Sequence, residues 1–515
     1  MSLMPALLAM ASGVVLAAAL PPTGMWPFAA VLAVPFALIA RAETPRASFW
    51  VGALFALGFF GVYVMWLPLS FSAPDFLGPF FWVLYPLMLA VLAAIWGLVG
   101  WTARLVAGRG AAALWLLPPL WVLVEWLRSQ GYFGFPWGTL GYVWLDTPVA
   151  QAASLVGVTG LSLLTAALAA ALAAPFVLAE RPASRHAPAW TGVLPALATV
   201  ALIVAGWWWG ARVVPPQPGT LPYTALLVQG NVDPFGRAVG VSRELEVHLA
   251  ITELGVAGMA APPDLVIWPE GALAGYDLDG AVNEDLRQRI QATAPGSTFV
   301  IGGRGRDLDP DSGRARSYNS AYAMEGGQLG GRYDKHVLVP FGERWPLIDS
   351  LDGLYRAVFA TLNLPMMVST SPGPGPVPLE SRLGPLATAI CYESVFPAVS
   401  AEMVAAGAQV LVVITNDAWF ARGDGARQHL DMGRMRAIET RRYLLRAAND
   451  GITGAVDPFG RLTAEYQRFT SGHLAVRFDL RDELTPFVRY GHHWPWALLA
   501  TTLLVSSVAL VRRAT

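Results

Sequence analysis

Seven apolar stretches of membrane length fill the first 211 residues, near 3–21, 26–40, 49–70, 79–101, 112–127, 149–179 and 189–211. The pattern then stops and returns only at 494–511. A spanning helix needs about 20 apolar residues, within roughly 17–25. By that measure the second and fifth stretches are short, and the sixth is long enough to tilt or run past the interface. Charged residues make up only 14% of the 515, against roughly 25% in a soluble domain. The chain therefore reads as a polytopic membrane protein with about eight spans. The first stretch has no basic segment before it and is followed at once by another, so it reads as an anchor and not as a cleaved signal.

Short-loop arginines set the orientation. With the N-terminus inside, the cytoplasmic segments carry Arg41, Arg46, Arg104, Arg109, Arg181, Arg185, Arg512 and Arg513, and the outer loops among the first seven spans carry only Arg128. Seven spans then deliver the following segment to the outer face, and the eighth returns the C-terminus to the cytoplasm. The expected organisation is a membrane domain at 1–212, an outer domain at 213–490, and a last span with a cytoplasmic tail at 491–515.

The outer segment has a different texture. Short β-branched runs at Thr224–Val228, Asp264–Trp268, Thr298–Ile301, Leu386–Ile390 and Val410–Ile414 predict buried strands. Helical patterns at 242–259, 281–293, 396–407 and 427–447 alternate with them, which predicts an α/β layered domain. Gly326-Gly327 marks a hairpin between Tyr322 and Tyr333. The glycine-rich run Gly302–Asp307 lacks dinucleotide spacing and reads as a strand-to-loop turn.

Three strand ends carry reactive side chains. Asp264-Leu-Val-Ile-Trp-Pro-Glu270 places a carboxylate where Pro269 should end a central strand. Leu386-Ala-Thr-Ala-Ile-Cys391 runs into the only cysteine of the chain, so no intramolecular disulfide exists. Tyr333-Asp-Lys335 carries the only lysine among 35 Lys and Arg residues. A buried cysteine alone is usually an inert small hydrophobe, but an unpaired one in an exported domain is a liability unless its reactivity is used. Together the three side chains suit acyl transfer: a carboxylate takes the thiol proton, the thiolate attacks a carbonyl, and an ammonium stabilises the oxyanion.

Trp268-Pro-Glu270, Lys335 within Asp-Lys-His-Val-Leu-Val-Pro-Phe-Gly-Glu343, and Cys391-Tyr-Glu393 resemble the Glu-Lys-Cys triad of the nitrilase superfamily. Over nearly its full length the sequence resembles one branch, the apolipoprotein N-acyltransferases of bacterial envelopes. Glu125-Trp-Leu-Arg128, Phe135-Pro-Trp137, Thr415-Asn-Asp-Ala-Trp-Phe420, Gln428-His429, Arg434-Met-Arg436 and Arg446-Ala-Ala-Asn449 add to that likeness. Gly271 and Ala426 depart from it, where a polar residue and a proline are usual.

The resemblance implies an αββα nitrilase-like sandwich on the periplasmic face of the bacterial inner membrane. It implies catalysis by Glu270, Lys335 and Cys391, supported by Glu343, Glu393, Tyr392 and Asn319. The acyl donor would be a phospholipid, typically phosphatidylethanolamine, and the acceptor the α-amine of a diacylated apolipoprotein, in a ping-pong cycle. No metal or organic cofactor is required, and nothing demands more than a monomer.

A membrane-anchored nitrilase-type amidase is the alternative, since the same triad begins both reactions, although seven spans exceed what an anchor needs. A transporter would place ionisable residues in mid-span, and Glu125 lies near a helix end. A net charge of -1 without a basic tract speaks against nucleic-acid binding. There is no His-Glu-x-x-His or Cys-x-x-Cys for zinc, His429 and His336 read as hydrogen-bonded structural residues, and His492-His493 should sit at the interface. Trp207–Trp209 reads as an aromatic belt. The unusually apolar segment Trp345–Val368 forms either a mobile arm dipping into the outer leaflet or a packed helix of the outer domain.

Overall fold

The computed structural model describes residues 2–71, 81–179, 190–213, 221–232, 241–273, 275–276, 278–279, 283–308, 313, 315–345, 347–361, 369–491 and 493–503. Arg181, Arg185, His492, residues 362–368 of the apolar segment, and Arg512 and Arg513 lie outside them.

Each of the seven N-terminal apolar stretches coincides with helix: α1 (Leu3–Ala17), α2 (Ala33–Arg41), α3 (Pro45–Tyr63) with α4 (Trp66–Phe71), α5 (Phe81–Ala107), α6 (Ala111–Arg128), α7 (Ala153–Leu178) and α8 (Trp190–Gly210). Among the described residues five helical runs are long and apolar enough to span a membrane, fewer than the eight expected. The first two stretches give the shorter apolar helices Leu3–Ala17 and Trp26–Arg41. Pro27 starts the second as a 3₁₀ turn, so only nine residues of it are α-helical. The last stretch is described as helix from 494 to 503.

Small residues let these helices touch. A Cβ on Gly13 of α1 would lie 2.1 Å from the Phe55 carbonyl of α3, and one on Gly58 of α3 would lie 2.2 Å from the Met10 carbonyl. Such contacts suit a membrane bundle, where close backbone approach replaces the hydrophobic drive. The long sixth stretch is broken at Gly157, whose φ of 68° interrupts the helix. Phe487 fills the space beside it, 2.4 Å from where a Cβ would stand.

The described residues from 221 onward hold two sheets. One orders its six strands β11-β1-β2-β3-β4-β5 and the other its five strands β10-β9-β8-β7-β6. Their ranges are β1 Tyr223–Gln229, β2 Leu265–Leu273, β3 Thr298–Leu308, β4 Ala315–Glu325, β5 Gln328–Asp334, β6 Leu386–Ile390, β7 Val410–Thr415, β8 Leu444–Ala448, β9 Thr453–Val456, β10 Leu462–Tyr466 and β11 Gly472–Phe478. Period-two alternation separates the layers. Leu226, Val228, Val266 and Trp268 pack under helices α9 (Val241–Ala257) and α10 (Glu284–Thr293). Ala225, Leu227, Leu265 and Ile267 face the second sheet. Helices α12 (Pro397–Ala405) and α13 (Gly425–Thr440) cover its far side, completing the αββα order.

Helix α13 also seats this two-sheet unit on the N-terminal helices, and all of it except Arg427 is buried. Its charged residues reach across the junction. Arg434 meets Asp146 at 2.6 Å, Arg441 donates to Gln151 at 2.6 Å, and Glu439 accepts the Val158 N–H at 2.7 Å, just beyond the Gly157 break. Gln428 bridges Trp66 and the Tyr63 carbonyl at 2.9 and 3.0 Å.

Three sequence expectations need correction. Strand β2 does not end at Pro269: its ladder with β3 lapses after Trp268 and resumes at Leu273↔Gly303, the proline lacking the N–H that regular pairing needs. Gly302–Asp307 is the interior of β3 and not a turn, with Gly302 packed where a Cβ would lie 2.3 Å from the Pro269 carbonyl. The helix expected through 447 closes at Arg441, which takes a left-handed φ of 54°, and 444–448 is strand β8.

Candidate active site

The bulge in β2 turns Glu270 out of the ladder, and two donors fix its carboxylate. Asn319 Nδ2 from β4 reaches Oε1 at 2.7 Å, and the Asn416 N–H after β7 reaches Oε2 at 2.9 Å. Asn319 also donates to Glu343 Oε1 at 2.9 Å, so one amide spans both acids. Lys335 follows β5, its backbone held by the Asn319 carbonyl and the Gly373 N–H, at 2.9 and 2.8 Å.

The Lys335 side chain is 1% exposed. Its ammonium lies 2.9 Å from both Glu343 oxygens and 3.7 Å from Glu270 Oε1. Burial opposes the charge, but the Glu343 and Glu270 carboxylates outweigh it and hold the Lys335 pKa well above its ordinary value, so the ammonium persists. Glu343 Oε2 also accepts the Val339 N–H at 2.8 Å, which closes the turn carrying it.

Cys391 follows β6 and opens a 3₁₀ turn with a φ of 52°, a conformation that costs a non-glycine residue roughly 1–3 kcal/mol and survives only where its surroundings dictate it. Burial first, then the Glu270 carboxylate, pushes its thiol well above the ordinary range, with Lys335 and Thr415 pulling back only in part. The resting group is therefore a thiol that needs a base at the moment of attack. Glu393 is fully buried and works on the backbone: it accepts from the N–H groups of His336, Val337 and Ile390 and from the Tyr333 hydroxyl, all within 3.0 Å. It thereby joins the chain carrying Lys335 to the chain carrying Cys391. Tyr392 turns the other way, donates to the Gly134 carbonyl at 2.6 Å and stacks on Trp137 at 5.7 Å.

Six of the seven residues singled out in the sequence line one cavity, with Glu393 buried just behind it, and four of them, Glu270, Asn319, Glu343 and Lys335, are linked by direct hydrogen bonds. Sequence reasoning missed the Asn416 N–H and Gly373, which contribute main-chain atoms that no side-chain motif announces. It also missed the role of His429, described below.

Glu270, Lys335 and Cys391 open into a cavity of about 1070 Å³ whose opposite wall is α5, including Leu84, Met88, Leu92 and Ile95. Arg128 faces the same space, with its guanidinium 5.2 Å from the Trp96 ring and 5.4 Å from Phe60.

Residues 12–172 match the family model described as the apolipoprotein N-acyltransferase N-terminal domain, and residues 227–483 match carbon-nitrogen hydrolase. An apolipoprotein N-acyltransferase of Geobacter metallireducens is 31% identical over 98% of this chain and 95% of its own length. One of Azotobacter vinelandii is 33% identical over 98% of this chain and 95% of its own. The chain belongs to the apolipoprotein N-acyltransferase family. It is an enzyme of acyl transfer built on a carbon-nitrogen hydrolase domain.

Among solved structures, an amidase from Nesterenkonia sp. covers 55% of this chain and 99% of its own at 19% identity and a TM-score of 0.40. The C. elegans NitFhit protein covers 50% of this chain and 60% of its own at 18% identity and a TM-score of 0.37. As in the family, a membrane half and a hydrolase half are joined in one chain; here the cavity lies between them.

Proposed function

We propose that the chain moves one acyl chain from a phospholipid to the α-amine of a diacylglyceryl-cysteine at a lipoprotein N-terminus, through a thioester on Cys391. The observation that carries this reading is the shared cavity: the acid, ammonium and thiol open toward a wall of apolar side chains from a membrane helix. A soluble amide would need no such wall.

In the first half-reaction Glu270 takes the thiol proton as sulfur bonds to the sn-1 ester carbonyl. Lys335 holds the oxyanion, the ester C–O bond breaks, and the proton passes to the departing lysophospholipid oxygen. In the second, the α-amine attacks the thioester, Glu270 takes its proton, and Cys391 leaves and is reprotonated. Glu343 and Asn319 keep Lys335 and Glu270 in register, and Glu393 and Tyr392 hold the nucleophile's turn. Phosphatidylethanolamine is the proposed donor, and a monomer suffices because every proposed group comes from one chain.

The arginine asymmetry supports a bacterial inner-membrane setting, with seven spans in 1–212, the catalytic domain of 213–490 in the periplasm, an eighth span in 491–515, and both termini cytoplasmic. Helix α11 (Ile348–Thr361) supports a membrane-dipping arm. Leu354 and Val358 are exposed along the cavity that holds Cys391, while Phe359 is buried against Trp345 at 4.9 Å, so one face is placed to meet a lipid entering the site and the other rests on the domain.

Product analysis tests the reading. With phosphatidylethanolamine and a diacylated lipopeptide the purified protein should yield lysophospholipid and a triacylated peptide. Release of free fatty acid at the same rate, with or without the amine, would instead mark a hydrolase.

A further inference from the structure

We propose that His429 is a positioning residue for the nucleophile: its Nε2–H donates to the carbonyl of Cys391 and holds that residue in its left-handed conformation. The inference rests on Cys391 being the nucleophile.

Two side chains meet the Cys391 carbonyl, which opens the 3₁₀ turn Cys391–Val395: Ser394 Oγ at 2.8 Å and His429 Nε2 at 3.0 Å. Those two atoms are themselves 2.8 Å apart. We assign the single Ser394 hydroxyl proton to the carbonyl, which makes Nε2 the protonated, donating nitrogen and leaves Nδ1 to accept from Arg446 Nη2. On the other edge of the ring Nδ1 lies 2.9 Å from Asp417 Oδ1 and 3.1 Å from Arg446 Nη2. Arg446 also pairs with Asp417 Oδ2 at 2.5 Å, and Thr415 donates to Oδ1 at 3.0 Å. His429, Asp417, Arg446 and Ser394 are each no more than 1% exposed.

The ring cannot tilt freely. Phe420 stands 5.7 Å from it edge-on and Trp137 stands at 6.3 Å. Trp137 also stacks on Tyr392, the residue after Cys391. A polar network serving packing alone would have no reason to end on the backbone of the one reactive residue in the chain. This one starts at a fixed ion pair, passes through an imidazole, and ends at the carbonyl of a residue whose φ is 52°. Fixing that peptide fixes the direction of Sγ, and a nucleophile displaced by about 1 Å loses on the order of 100-fold in rate.

The single cysteine makes the test clean. In the full-length protein in detergent, iodoacetamide alkylation reads the placement of Cys391 whether or not it is the nucleophile, and acyl-thioester formation from phosphatidylethanolamine reads it in the reaction. His429→Leu should slow both by about 10–100-fold with KM for the phospholipid unchanged. His429→Gln, whose amide N–H still reaches the carbonyl, should recover most of the loss. A folded His429→Leu protein with both rates within about twofold of wild type overturns the proposal. So does an equal loss in the Leu and Gln variants, which would mark packing. If the Leu variant does not fold, His429→Asn decides: its shorter amide keeps the polarity but not the reach to the carbonyl, and an alkylation rate within about twofold of wild type there counts against the hook. Turnover retained by Cys391→Ala would sink the catalytic reading while leaving the alkylation result standing.

Discussion

The Glu343 carboxylate grips the Lys335 ammonium with both oxygens at 2.9 Å, while Glu270 stands off at 3.7 Å. The two acids therefore divide their work. Glu343 holds the cation in a buried place, and Glu270 keeps an oxygen near it without being locked into the pair. A base bound bidentately to Lys335 would be a poor proton acceptor; one held by Asn319 and a main-chain N–H is oriented and still available.

Glu343→Gln should leave Lys335 buried with its main partner gone. Losing one partner of a buried pair costs up to about 3–5 kcal/mol, and the partial exposure of Glu343 puts the expected loss at the lower end. Turnover should fall by about 10²–10³, the range for a misplaced oxyanion donor. Steady-state acyl transfer and the thermal midpoint in detergent check both.

The raised thiol pKa fixes the sign of a pH effect. A group whose folded pKa lies above its unfolded value adds stability that is complete below the unfolded value, about 8.5 for a thiol, and is lost as pH rises through the folded one. Wild type should therefore lose more stability than Cys391→Ala between about pH 8.5 and 10, and Cys391 alkylation should climb through that window without a plateau. Thermal midpoints and alkylation rates across the window measure this; parallel stability profiles would contradict it.

Arg436 and Glu439 form a fully buried pair at 2.7 Å in α13, and Glu439 also accepts the Val158 N–H of the membrane half. Glu439→Gln strands the guanidinium and weakens the junction. A loss of about 3–5 kcal/mol is expected, seen as a lowered thermal midpoint of the whole chain, with the triad itself untouched.

Replacing Leu354 and Val358 on the exposed face of α11 with serine should lower kcat/KM for a long-chain phospholipid in vesicles by roughly tenfold, as two apolar contacts worth about 1–3 kcal/mol are lost. Turnover of a soluble short-chain thioester should be unchanged. Equal losses on both substrates would show that the helix is part of the domain core.

Much of this was legible in the sequence because it is written in side chains. Glu270, Lys335 and Cys391 stood out as reactive side chains beside strands and line one cavity, and strands bearing contiguous β-branched runs, such as Val410–Thr415, stood out as well. What stayed hidden was set by tertiary context. Leu444-Leu-Arg-Ala-Ala448 has helical composition, yet it is a buried strand because β7 and β9 flank it. Gly302 and Gly303 suggest a turn, yet both sit in β3, and at Gly302 the close Pro269 carbonyl leaves no room for a side chain. His429 read as a structural histidine, and nothing near it in sequence indicates that its ring meets the Cys391 carbonyl 38 positions away.

The most direct measurement is intact-protein mass spectrometry after incubation with a defined phosphatidylethanolamine and no acceptor. One added acyl mass is predicted, removed by hydroxylamine, absent from Cys391→Ala, and discharged by a diacylated lipopeptide into a triacylated product. Acyl transfer by a folded Cys391→Ala protein at the wild-type rate would contradict the account at its centre.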